Sequence, residues 1–161
     1  MIEIQCVSRE NQMADKAIEY IWGIWGNKSN HDFYADCIKN STDPDRLPKF
    51  YLAFMNGRVA GCYALLTNDL ISRQDLYPWL ACLYVMPELR NRGIGGLLLA
   101  HGVDEAKRLG FNDLYLNTDH TGYYEKYGWI YMCEGVHISN VRTKIYTKST
   151  GAGKSPSQSP E

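Results

Sequence analysis

The chain has no excess of either charge: 17 Lys and Arg stand against 18 Asp and Glu in 161 residues. Both signs are spread along its length, so it has no basic stripe to neutralise a phosphate backbone, and nucleic acid is not an expected partner. Paired cysteines are missing too. Cys6, Cys37, Cys62, Cys82 and Cys133 are odd in number, widely spaced and without a CxxC pair. They read as reduced core thiols, neither a disulfide framework nor a metal site. No apolar run approaches membrane-spanning length, and MIEIQCVSRENQ has no basic region followed by an apolar one. The expectation is a cytoplasmic protein without a membrane partner. Internal repeats are absent as well.

What is present fits one domain. IEIQCV (Ile2 to Val7) alternates as a strand does, and Asn11 to Trp25 places apolar side chains at helical spacing, among them Ile18, Ile21, Trp22 and Trp25. Asn30 offers a cap for a second short helix in HDFYADCIKN. KFYLAFMNGRVAGCYALLTN turns back on itself at Asn56-Gly57, a strong hairpin signal. After a loop from Asp69 to Pro78, WLACLYV is a continuous apolar run, as expected of a strand covered on both faces. A helix is predicted over Gly95 to Leu109, closed by Gly110 in a left-handed cap. DLYLNT reads as a strand, TGYYEKYG as a short helix stopped at Gly128, and WIYMCEG and VRTKIYTK as paired terminal strands. From Ser149 onward Gly, Ser, Pro and Gln prevail, so a domain over 1–148 is expected to carry a disordered tail over 149–161. The element order predicts a single-domain α/β (α+β) fold, with a mixed central sheet of about seven strands and helices on both faces. It is built around one parallel βαβ unit, WLACLYV, the glycine-led helix and DLYLNT. Binding is expected at the carboxyl ends of those two strands.

RNRGIGGLLLA (Arg90 to Ala100) stands at that place. A helix start leaves backbone N–H groups without partners and concentrates partial positive charge, which makes it an anion site. Glycines at 93, 95 and 96 remove side chains that would hold a phosphate away, and Arg90 and Arg92 add charge. Neither familiar nucleotide loop fits the letters. The dinucleotide fingerprint needs a third glycine where Leu98 stands, and the triphosphate loop needs Gly-Lys-Ser/Thr.

Val85, Pro87, Arg90, Gly93 and Gly95 form V-x-P-x-x-R-x-x-G-x-G, which resembles the acetyl-coenzyme A signature of the GNAT family of N-acetyltransferases. YYEKYGW resembles that family's second hallmark, with Tyr124, Gly128 and Trp129 in register, and Asn117 lies seven residues before Tyr124. The resemblance spans Ile2 to Lys148. It implies acetyl-CoA as cofactor, with the diphosphate held by the amides of Asn91, Gly93, Gly95 and Gly96 and flanked by Arg90 and Arg92. It also implies that WLACLYV splays from DLYLNT to open a slot, where the pantetheine arm pairs with main chain near Leu83 and Val85. The Leu83 amide would face the thioester carbonyl as an oxyanion donor. Asn117 would steady the arm or a water. Tyr124 falls at the general acid position, where a phenol can protonate the leaving thiolate. Tyr123 and Tyr127 are rivals by proximity, but helical spacing turns 123 and 124 about 100° apart, so only one should face the sulfur.

The base departs from the family's histone-acting pattern, which places a glutamate where Trp79 stands. His120 has a suitable unperturbed pKa and is the candidate here, with Asp119 beside it and ordered water as the alternative. Glu88 reads as a solvated turn residue. On the acceptor side Trp22, Trp25 and Tyr34 are expected to line a pocket for a small-molecule amine, through cation-π contacts. The resemblance thus implies direct transfer of an acetyl group to a primary amine. A non-catalytic acyl-CoA-binding or sensor module on the same fold is the alternative, and a homodimer is left open.

Overall fold

The computed structural model describes residues 1–153, and 154–161 of the expected tail lie outside the described residues. Seven strands make one mixed sheet in the order β1-β2-β3-β4-β5-β7-β6. The first four, β1 (Ile2–Cys6), β2 (Lys49–Met55), β3 (Arg58–Leu66) and β4 (Trp79–Val85), are antiparallel neighbours. β5 (Asp113–Thr118) runs parallel to β4, and β7 (Arg142–Ser149) and β6 (Ile130–Val136) complete the sheet in antiparallel fashion. Helices α1 (Ala14–Trp25) and α2 (His31–Lys39) cover one face and α3 (Ile94–Arg108) the other. No described helix is long and apolar enough to cross a membrane.

The strand sequences explain both faces. In β2, Tyr51 and Ala53 join the core under α3, whereas Phe50 and Leu52 join the one under α1 and α2. A strand covered on both sides must be apolar at every position, which is why KFYLAF shows no alternation. Asn56 and Gly57 both have positive φ, 52° and 77°, as the tight hairpin turn requires. α1 starts at Ala14, later than the apolar pattern alone places it. Asn11 is spent on the turn before it, accepting bonds from the Ser8 and Met13 amides through Oδ1. Asn30 precedes α2 but does not cap it with its side chain. Its Oδ1 instead accepts from the Asn27 amide at 2.7 Å, closing the α1–α2 corner. Contacts with the sheet also reach the composition break at Ser149. Ser149 pairs with Asp113, and the buried Thr150 donates to the Phe111 carbonyl at 2.6 Å.

The sheet departs from regularity in β4. Cys62 pairs with Tyr84 and Ala64 with Ala81, so Tyr63 alone faces two residues, Cys82 and Leu83. This is a β-bulge, and Cys82 takes it up with φ 51°. A left-handed conformation at a residue with a Cβ costs about 1–2 kcal/mol. Part of the offset is local: Cys62 Sγ donates to the Cys82 carbonyl at 3.3 Å. The extra residue resets the alternation. Leu80, Leu83 and Val85 therefore share the α3 face, while Cys82 and Tyr84 pack toward α1 and α2. β4 and β5 part company a few residues before the bulge. Their only registered pair is Trp79 with Tyr115, at the start of β4.

Gly61, opposite Val85, lets β3 run close to the bulge: a Cβ there would stand 2.5 Å from the Tyr84 carbonyl oxygen. Backbone cannot rotate away as a side chain can. Gly61→Ala is expected to cost about 1–3 kcal/mol by overpacking, lowering Tm by roughly 2–12 °C in a domain of this size. Thermal unfolding checks it, and an unchanged Tm would show that the bulge is not held this tightly.

Candidate active site

Past the Trp79–Tyr115 pair, the edge of β4 that faces β5 has no registered strand partner among the described residues. Main-chain groups alternate sides along a strand, and the Met86 amide donates to Ala60 in β3 at 2.9 Å. Counting back, the Val85 and Leu83 amides point the other way, into the gap. The Val85 carbonyl agrees, accepting Arg90 Nε at 3.0 Å from the gap side.

At the upper end of the gap stands the start of α3. Asn91 and Gly93 both have positive φ, 62° and 78°, and Gly93 is the N-cap without a side-chain hydrogen bond. The first amides of the helix are thus left uncapped by side chains, and Arg90, stacked over Tyr84 at 5.4 Å, keeps its charge beside them. A cavity of about 470 Å³ joins these parts. Leu83, Val85, Arg90, Asn91, Gly93 and Gly95 line it together with Trp25, His120, Tyr123, Tyr124 and Tyr127.

Several expected site residues sit elsewhere. Trp22 donates its indole N–H to the Asn27 carbonyl at 2.9 Å and meets His31 edge-on, bracing the α1–α2 corner. Tyr34 is half-buried against the α1–α2 core, outside the cavity wall. Arg92 is exposed and does not line the cavity. Asn117 turns its amide to Asp69, donating to Oδ2 at 2.8 Å. Trp79, at the position of the missing glutamate, is fully buried with its N–H bonded to Leu76. His120 stands exposed at the cavity rim, its backbone amide bonded to Thr118 Oγ1.

The two later glycines also make room for side-chain packing. A Cβ on Gly95 would lie 2.2 Å from the Tyr123 hydroxyl, and one on Gly96 would lie 2.4 Å from the Tyr127 ring. Their bareness seats two tyrosines against α3, whereas Gly93 supplies the left-handed turn. Tyr124 to Tyr127 form a 3-10 turn, and Tyr123 is its N-cap. A 3-10 turn separates successive side chains by about 120°, yet Tyr123 and Tyr124 both line the cavity, with ring centroids 5.0 Å apart. Burial raises the Tyr124 phenol above its ordinary value, with a hydrogen bond to Thr118 pulling the other way. Burial and the neighbouring Tyr127 push Tyr123 up to about 12. Both phenols hold their protons at neutral pH, the form needed to donate one.

Residues 13–129 match the model of the acetyltransferase (GNAT) family, so the chain belongs to that family. Its fold is similar to that of an aminoglycoside 6'-N-acetyltransferase complexed with coenzyme A, with 15% identity, TM-score 0.69 and coverage of 92% of this chain and 97% of that one. It is also similar to yncA from Salmonella typhimurium with acetyl-CoA, at 14% identity, TM-score 0.66 and 99% coverage of each chain. A third is a GNAT family acetyltransferase from Elizabethkingia anophelis with acetyl-CoA bound, at 18% identity, TM-score 0.64 and coverage of 92% and 97%. Comparison with curated proteins gives no significant match.

Gly96→Ala tests how the tyrosines are seated. Helix propensity alone favours alanine by about 1 kcal/mol. The collision with Tyr127 is expected to reverse that sign and lower Tm, while Gly96→Ala in a Tyr127→Ala background should raise it. Thermal unfolding of the four chains decides, and stabilisation by Gly96→Ala alone would contradict the packing.

Proposed function

We propose that this chain is an acetyl-CoA-dependent N-acetyltransferase that moves an acetyl group to the primary amine of a small molecule, by direct attack in a ternary complex. The observation that carries the reading is the alignment of two gap-facing strand amides with an uncapped helix start and two protonated phenols. A long ligand with an anionic end and an amide-bearing arm suits that line of donors. Coenzyme A has this form, and the solved relatives with coenzyme A or acetyl-CoA support the choice.

Acetyl-CoA supplies an acyl group activated as a thioester. The amides of Asn91, Gly93 and Gly95 and the charge of Arg90, all in the cavity lining, hold the diphosphate. Leu83 and Val85 pair with the arm along the open edge of β4. The Leu83 amide then stabilises negative charge developing on the carbonyl oxygen, an effect of about 10²- to 10³-fold for one fixed donor. Tyr124 gives its proton to the departing sulfur. Trp25 offers a ring face to a cationic acceptor at the cavity mouth.

The test is thiol release from acetyl-CoA mixed with kanamycin, spermidine, glutamate or a lysine-containing peptide. At least one should react. Tyr124→Phe is expected to lower kcat by about 10²- to 10⁴-fold with little change in Kd for acetyl-CoA, and equal turnover would remove Tyr124 from the reaction. Acetyl-CoA should also raise Tm where NAD and ATP do not. Tight acetyl-CoA binding with no thiol released by any amine would point instead to a non-catalytic binding module.

A further inference from the structure

Asp69 lies in the loop between β3 and β4, outside the signature motifs, yet the fold fixes it from three sides. Asn68 ties the turn by accepting the Ile71 amide and donating to the Ile71 carbonyl, both at 3.0 Å. The Leu70 carbonyl accepts the Ile138 amide at 2.9 Å, and Ile71 bridges to His137, so the loop is pinned to the β6–β7 hairpin. Asn117 of β5 then donates to Asp69 Oδ2 at 2.8 Å, and Thr143 of β7 steadies Asn117 from behind.

The level of that carboxylate follows from the parallel register. β4 and β5 pair at Trp79 and Tyr115, so two residues on, Asn117 stands across the opening gap from Ala81 and the bulged Cys82. Side chains alternate along β5: Leu114 and Leu116 enter the α3 core, so Asn117 projects from the opposite face. Asp69 therefore sits at the bulge, on the face away from α3. Asp69 is not in the lining of the cavity around Leu83, so its use requires an acceptor that enters from the α1–α2 face and passes the bulge.

We infer that Asp69 takes the proton from the acceptor ammonium, with Asn117 as the positioning residue for its carboxylate. The assignment rests on the N-acetyltransferase reading above. His120 fits the role less well: it is exposed at the rim, and its ring has no hydrogen-bond partner among the described residues. The overall transfer releases one proton. Asp69 removes the first ammonium proton and passes it to solvent. The freed nitrogen lone pair forms the C–N bond and the C–S bond breaks. Sulfur leaves with the proton of Tyr124, and the second nitrogen proton restores the phenol.

The surroundings suit a base that works near neutrality. The titratable groups facing Asp69 are His137 from the β6–β7 hairpin, Cys82 from β4 and Tyr34 from α2. Burial raises the carboxyl to about 6, against the opposing bond from Asn117 and the pull of His137. Above that pH the group is ionised and accepts a proton, and below it the group is blocked.

The experiment compares kcat/KM for wild-type chain and Asp69→Asn from pH 5 to 9, by thiol release with spermidine, kanamycin, glutamate and the lysine peptide. Taking the ratio of the two chains cancels the ionisation of the amine itself. The ratio is expected to be about 10²- to 10⁴-fold above pH 7 and to fall tenfold per unit below about pH 6. Asn117→Ala should move that limb to higher pH, since it removes a bond that favours the ionised carboxylate. This second variant keeps the assignment testable should Asp69→Asn fold poorly. A ratio independent of pH, or a limb that Asn117→Ala leaves in place, would overturn it. Thiol release by no amine in the wild-type chain would instead overturn the acyltransferase reading beneath it.

Discussion

The structure depends on one local interruption of hydrogen bonding, the bulge at Cys82 and Leu83 with the divergence of β4 from β5 that accompanies it. A regular parallel pair would consume the main-chain donors of both strands in a ladder. Here the ladder stops after Trp79 and Tyr115, and the donors further along β4 are left facing a gap. Such an arrangement is costly in isolation, because Cys82 takes a left-handed conformation and a central sheet loses pairing. The surrounding sheet bears the cost: β3 holds β4 from the other side, and α3 and α1 close both faces.

That frame divides the chemistry between the two faces of the sheet. On the α3 side lie the uncapped helix start and the tyrosines seated on Gly95 and Gly96. On the other lie Asn117 and Asp69, joined by a hydrogen bond. Under the proposed transfer, cofactor and acceptor would approach from the two different faces and meet at the Leu83 amide. Trp79 fits this picture as a packing residue. Its fully buried ring marks the last point at which the two strands touch.

Much of this was legible in the letters. Apolar periodicity, the Asn56-Gly57 turn and the glycine stops at 110 and 128 place nearly every element, because each depends on neighbours a few residues away. The grouping of Leu83, Val85, Arg90, Asn91, Gly93, Gly95, His120 and Tyr124 around one cavity was legible for the same reason: two local motifs flank a βαβ unit. Three features were not. The bulge leaves no mark in WLACLYV, since Cys82 is an ordinary apolar residue whose φ is set by the register with β3. The roles of Gly95 and Gly96 depend on tyrosines some thirty residues away. Asp69 shows only as a polar residue at a loop start, and its fixed position comes from contacts with β5 and the β6–β7 hairpin. Trp22 misled for a related reason, because an aromatic at helical spacing serves a corner as readily as a pocket.

The central claim is that the amides of Leu83 and Val85 are held open toward a ligand while those of Tyr84 and Met86 belong to the sheet. Residue-resolved amide hydrogen exchange tests it directly. In the free chain Leu83 and Val85 should exchange quickly and Tyr84 and Met86 slowly, and coenzyme A should slow the first pair while leaving the second unchanged. Four equally protected amides in the free chain, or a fast pair that coenzyme A does not slow, would contradict the account.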